Sequence, residues 1–264
     1  MGKEILHIWG PFSIQSYGLF IALGIVLAIW LFMRDSRRAS ILSSDQFGKI
    51  ISITIFAAII GGRLLYVLEE NSAIKSFWDI FKVWEGGLSS LGSIAGILLV
   101  IPIYLRSMGI PIVRFLDLTA IYAPIVEAMA RFGCFFAGCC YGIETTLPWG
   151  VTYTDPSCAA PLYKSLHPTQ LYCSLAAFVI FLLMKFLFSK LLQKPGQLLC
   201  VYLMLTSIAR GSIDFIRGDR TFFSQQGVLS ILSSSQIISL CLCTLSFVTL
   251  IAIQLFYNKQ KQSI

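Results

Sequence analysis

Seven stretches of this chain are apolar and long enough to cross a lipid hydrocarbon layer, and they leave little sequence for anything else. Crossing takes about 20 mostly apolar residues in a helix. The stretches run at 16–33, 47–68, 88–105, 116–136, 169–188, 197–215 and 235–257. Composition agrees: 56% of the residues are hydrophobic and 12% charged, where soluble domains carry about 25% charged residues. A soluble core cannot absorb that much apolar surface, so the excess faces lipid. The first, third and seventh stretches carry no charged residue, and the fifth carries only Lys185 near its inner end. The second, fourth and sixth carry charged residues and are expected to face protein or a water-filled cavity. The predicted fold is all-α, a polytopic transmembrane helix bundle of about seven spans.

Basic residues set the orientation. With the N-terminus outside, the inner segments hold eleven Lys and Arg residues, among them Arg34, Arg37, Arg38, Lys190 and Lys194, against six in the outer segments. That bias predicts an outside N-terminus and an inside C-terminus. The formal net charge of +7 is spread through short runs between spans rather than gathered in one patch, so nucleic acid is not an expected partner. The opening residues lack the basic start, apolar run and cleavage site of a signal peptide, and the first apolar stretch is expected to be kept. Leu6 stands where a myristoylation motif requires Ser or Thr.

One membrane domain, 1–264, accounts for the chain. In the second connection, AIKSFWDIFKVW puts Ile74, Phe77, Trp78, Phe81 and Trp84 on one helical face. This segment, about 72–85, reads equally as a helix in the membrane interface or as a cap packed on the bundle. The longest loop, about 138–167, is expected on the outer face, with WGVTYTD as a short strand.

Ionisable residues at membrane depth are costly and therefore mark candidate sites. Glu127 and Arg131 lie four apart on one face of the fourth stretch. Arg210, Asp214 and Arg217 occur at similar spacing around the end of the sixth, with Asp219 and Arg220 beyond, and Arg63 follows Gly61 and Gly62 in the second. Arginines from several helices suit an anion, because the guanidinium fork binds phosphate bidentately and stays charged in a low dielectric. The competing reading is a set of structural ion pairs, Glu127 with Arg131 and Asp214 with Arg210 or Arg217. His167 is either a general base or a helix-start residue ahead of Pro168. Cys134, Cys139, Cys140 and Cys158 invite a metal reading, but adjacent cysteines rarely both fit one tetrahedron. Buried inert thiols are expected instead, a disulfide involving Cys158 being the alternative.

At these residues the chain resembles the prolipoprotein diacylglyceryl transferase family, nearly end to end. SYGLFIALG is similar to the family's first span and GGRLLYVL to its Gly-x-Arg-x-x-Tyr segment. GGLSSLGSIAG resembles its Gly-Gly stretch, and ARFGCFFAGCCYG resembles its signature G-R-x-G-N-F-x-N-x-E-x-x-G. HPTQLY resembles H-P-[ST]-Q-L-Y, SIDFIRGDR sits where the family has Phe-Phe-Arg-Glu, and GVLSILSSSQIIS resembles L-S-x-G-Q-x-x-S. The departures are specific. Cys134 and Ala137 replace the two signature Asn residues, and Cys139 replaces its Glu. Leu91 stands at a family His, Cys173 follows HPTQLY in place of Glu, and Gly218 replaces an acidic residue.

The resemblance implies transfer of the diacylglyceryl group of phosphatidylglycerol to the lipobox cysteine of a preprolipoprotein signal peptide, in the bacterial cytoplasmic (inner) membrane. It implies a phosphate held by Arg131 and Arg217, with Arg63 and Arg210 contributing. Gly86, Gly87, Gly133 and Gly142 would shape the pocket, and Tyr17 would bond the head group. With Leu91 in place, His167, Glu127 and Asp214 remain as candidate bases. No metal or cofactor is expected. The alternatives are a family paralogue that binds anionic lipid or lipopeptide without transfer, and a small-molecule transporter. The second predicts an internal repeat that the sequence lacks.

Overall fold

The computed structural model describes residues 4–9, 12–69, 89–222 and 231–262. The described chain is predominantly helical. A β-hairpin comes first, β1 (Glu4–Trp9) antiparallel to β2 (Phe12–Gln15), then α1 (Ser16–Met33), the short α2 (Ser36–Ala39) and α3 (Ser44–Glu69). Next come α4 (Ser90–Ser107), α5 (Ile112–Ala137) and a two-residue antiparallel pair, β3 (Val151–Thr152) with β4 (Ser165–Leu166). α6 (Thr169–Leu182) runs through a π-helical segment, Leu183–Phe188, into α7 (Ser189–Leu191). α8 (Gln197–Asp214) and α9 (Ser234–Gln262) end the chain.

Each long helix coincides with one of the apolar stretches, and WGVTYTD does supply β3. Four of them are long and apolar enough to cross a membrane: Ser16–Met33, Ser44–Glu69, Thr169–Leu191 and Ser234–Gln260. Large apolar side chains stand exposed along them, Val26 at 64% and Leu245 at 65% among them, which water would penalise at about 25 cal/mol per Å² and lipid does not. The N-terminal hairpin was not expected, because EILHIW and FSIQ are too short to show a clear period. The proposed interfacial helix at 72–85, with Gly86 and Gly87, lies outside the described residues.

The chain divides into two compact units, one made of 1–34 and 116–264, the other of 35–115. In the second, α3 and α4 pack on small residues. A Cβ added at Gly61 would meet the Gly92 carbonyl and lie 3.0 Å from Gly96 Cα, and one at Gly96 would meet the Ala57 carbonyl. Backbone approach of this kind replaces the hydrophobic drive that lipid cannot supply. Arg63 is buried on α3, with its guanidinium 5.2 Å from the Tyr66 ring centre.

In the first unit α1 lies along α5. A Cβ at Gly24 would reach Met129 Cβ at 2.8 Å, one at Gly133 would reach Tyr17 Cα at 2.9 Å, and Phe20 stacks on Phe136 with ring centres 5.2 Å apart. Asp117, buried on α5, accepts the backbone N–H of Gly196 at 2.6 Å and of Leu199 at 2.8 Å. One carboxylate thus satisfies two orphan donors at the start of α8. Lys185, in the π-helical turn, donates to Tyr122 Oη at 2.6 Å.

Candidate active site

The end of α5 carries Arg131, Gly133 and Cys134 on its last turns. Gly138 and Cys140 then adopt positive φ, +67° and +58°, a region that non-glycine residues rarely occupy. This reverses the chain at once, and the segment after the turn is stitched on both sides. Gly142 N–H donates to His167 O at 3.0 Å, and His167 N–H returns to Ile143 O at 3.0 Å. On the other side Gly142 bridges to Arg217 in antiparallel fashion, with Ile143 N–H to Ile216 O at 2.9 Å and Gly218 N–H to Tyr141 O at 2.9 Å. Gly142 has to be glycine, since its Cβ would lie 2.5 Å from His167 Cβ and 2.6 Å from His167 O.

Two buried side chains from the start of α6 hold the turn itself. Thr169 Oγ1 donates to Cys140 O at 2.7 Å, and Gln170 Nε2 donates to Cys139 O at 2.7 Å. Both residues are 1% exposed. Tyr153, from the loop, donates to Phe135 O at 3.1 Å. Its burial pushes the phenol up to about 12, so the hydroxyl keeps its proton. These supporting roles were missed in the sequence. Their one signal was the PTQ of HPTQLY, read there only as a helix start.

The stitching brings the charged candidates together. Arg131, half-buried, has Nη1 3.8 Å from Cys140 Sγ, a weak acceptor that leaves the guanidinium fork available. Arg131 also lines a cleft with Glu127 from α5, Cys173 from α6 and Arg210 from α8. Arg217 makes a two-pronged pair with Asp219, both bonds 2.9 Å. Burial works against the Arg217 charge, but the Asp219 pair more than offsets it and holds the group protonated. Asp214 does not pair with Arg210 or Arg217 as spacing suggested. It lies 3.5 Å from Arg220 and accepts hydrogen bonds from the Ser233 and Ser235 hydroxyls. The backbone stays helical through Phe215 and Arg217 N–H bonds Asp214 O at 3.2 Å, but the Arg217 guanidinium is turned to Asp219 instead. With its oxygens spent in this way, Asp214 is poorly placed as a base.

His167 Nδ1 lies 3.2 Å from Tyr172 Oη, which in turn accepts from Trp149 Nε1 at 2.7 Å. The imidazole is therefore oriented by its neighbours and half-buried at the same stitch as Arg217. Tyr17 meets α5 at Gly133, two residues from Arg131. Arg131, Arg210, Arg217, His167, Tyr17, Gly133 and Gly142 thus fall in one unit, whereas Arg63 belongs to the other. Leu91, where the family has a His, also falls in that other unit and is 67% exposed.

Residues 3–252 match the family described as prolipoprotein diacylglyceryl transferase. Curated relatives named phosphatidylglycerol–prolipoprotein diacylglyceryl transferase include one from Clostridium tetani, 32% identical over 90% of this chain and 92% of the relative. One from Thermotoga maritima is 29% identical over 90% of this chain and 80% of the relative. One from a Wolbachia strain of Drosophila simulans is 36% identical over 79% of each. Agreement on that scale, together with the ordered motifs and the membrane helices, means that this chain belongs to the prolipoprotein diacylglyceryl transferase family.

Proposed function

We propose that the protein moves the diacylglyceryl group of phosphatidylglycerol onto the thiol of a lipobox cysteine in a preprolipoprotein, the first step of bacterial lipoprotein maturation. The observation that carries the reading is Arg131. It is a half-buried guanidinium with its donors available, on the last turns of α5 just ahead of the turn stitched to His167 and Arg217. A phosphodiester bound there gains charge-assisted hydrogen bonds. Those bonds strengthen as negative charge grows on the departing glycerol-1-phosphate, which is what accelerates the step. Arg217, tied to Asp219, takes the second place, and Arg210 neutralises charge deeper in the cleft. Tyr17 bonds the head group, and Gly133 and Gly142 shape the pocket by letting Tyr17 and His167 pack close to the backbone. Arg63 and the Gly86–Gly87 pair are assigned to substrate binding on the strength of the motifs alone.

The reaction forms one C–S bond and breaks one C–O bond at the glyceryl carbon bearing the phosphate, and the thiol proton ends in water. We place the enzyme in the bacterial cytoplasmic membrane as one domain of seven spans, N-terminus outside, with the 138–167 loop on the outer face where the lipobox emerges. Substrate partners are phosphatidylglycerol and the signal peptide.

The test is to incubate the purified protein in detergent with phosphatidylglycerol and a lipobox peptide bearing one cysteine, then weigh the peptide. The expected result is the diacylglyceryl mass on that cysteine, lost in Arg131→Ala. Phosphatidylglycerol bound without product would identify a lipid-binding paralogue instead, a reading favoured by Leu91, Cys134, Ala137 and Cys139 at the family's polar positions.

A further inference from the structure

Cys134, Cys139 and Cys140 place their three Sγ atoms within 4.8 Å of one another. Adjacent cysteines normally point apart, but the positive φ of Gly138 and Cys140 folds both back onto Cys134. The fold invests in that arrangement. Thr169 and Gln170, both buried, hold the two carbonyls of the Cys139–Cys140 turn, and the residues just beyond are stitched to His167 and Arg217.

A zinc–thiolate bond of about 2.3 Å sets sulfurs about 3.8 Å apart around one ion, a spacing the cluster reaches with small side-chain movement. Three thiolates and a dication leave one negative charge, and the Arg131 guanidinium, 3.8 Å from Cys140 Sγ, cancels it locally. That balance matters where charge is poorly solvated. Cys134 is buried whereas Cys139 and Cys140 are half-buried, so the cluster is closed on one side and reachable on the other. Three protein ligands with a vacant fourth position are the pattern of a catalytic zinc site rather than a structural one.

We infer that Cys134, Cys139 and Cys140 form a zinc site whose fourth position takes the substrate thiol. This rests on the transfer reading above and supplies what that reading lacks, a means of ionising the incoming cysteine. A thiol that coordinates zinc gives up its proton outright, here to water, and remains bound as thiolate beside the phosphate held by Arg131. Four thiolates on one ion leave the centre doubly negative, which keeps the substrate sulfur electron-rich. Its electron pair attacks the glyceryl carbon, the C–O bond breaks, and glycerol-1-phosphate leaves with that bond's pair. The thioether product is a weaker ligand and departs, reopening the position. No oxidant or reductant takes part.

Metal content of the detergent-purified protein, measured under reducing conditions by mass spectrometry, tests the site without reference to activity. One zinc per chain is expected. Cys134→Ser, Cys139→Ser and Cys140→Ser should each weaken zinc binding by about tenfold or more, while Cys243→Ser on α9 leaves it unchanged. Phosphatidylglycerol binding measured on each variant shows whether it has folded. Cobalt substituted for zinc should give sulfur-to-metal charge-transfer bands that shift with a lipobox peptide carrying cysteine and not with its serine counterpart. Bands unmoved by the cysteine peptide, zinc retained in all three folded variants, or full transfer by metal-free reduced protein would overturn the proposal and leave the transfer reading standing. Zinc and peptide binding as expected, with no product formed, would uphold the site and refute the transfer reading.

Discussion

On the proposed reading Arg131 both binds a phosphate and stabilises its departure, and the two respond differently to substitution. Arg131→Ala removes both, and loss of a preorganised donor of this kind costs about 10²–10³ in rate. Arg131→Lys keeps the charge but not the fork. It should retain phosphatidylglycerol binding better than turnover, seen as a larger fall in kcat than rise in KM. His167→Ala should cost less, because its imidazole bonds Tyr172 rather than the arginines. Tyr153 gives a separate handle on pH. Its hydroxyl, raised to about 12 by burial, ionises more readily in the unfolded chain, at about 10. The folded state therefore holds the proton more tightly. Its full contribution is present below pH 10 and is lost as pH rises towards 12. Melting temperature in detergent should fall across that window, and Tyr153→Phe should flatten the fall. The arginines were legible because charge at membrane depth stands out in any apolar stretch. The three cysteines stood out in the sequence, but their convergence did not, since it depends on two backbone angles that no spacing rule carries, and Asp219 was visible without its partnership with Arg217 being so.

Helices here associate through what they omit. Gly61, Gly92 and Gly96 let α3 and α4 approach until carbonyls occupy the places where side chains would start. Gly61→Leu should separate the pair and cost about 1–3 kcal/mol, read as a lower unfolding midpoint. Asp117 works in the opposite sense, adding a group where one is needed at the start of α8. Asp117→Ala should cost about 0.5–2 kcal/mol and leave lipid binding near normal, a split visible by comparing thermal melts with binding titrations. The stretches themselves announced where helices would lie, α1 to the residue, because apolar runs of this length have few other uses. The capping of one helix by a residue about eighty positions away has no local signature, and neither does a π-helical turn.

At the scale of the whole molecule, the charge bias predicts that a reporter active only outside the cytoplasm stays silent when fused after 262 and reports when fused within 138–167. The reverse pattern would overturn the proposed orientation. Hydropathy and charge can speak to crossings because they are summed over whole segments. They say nothing about which segments meet, which is why the site's assembly had to be seen. That assembly has a consequence for biosynthesis. The turn at Cys139–Cys140 is held by Thr169 and Gln170 and bound on its far side by Ile216–Gly218, so a nascent chain that has only reached the loop has nothing to lock it against. The end of α5 proposed as the phosphate site must wait, unformed, until about eighty further residues have left the ribosome, and a chain released before that point would insert its early helices yet lack that site.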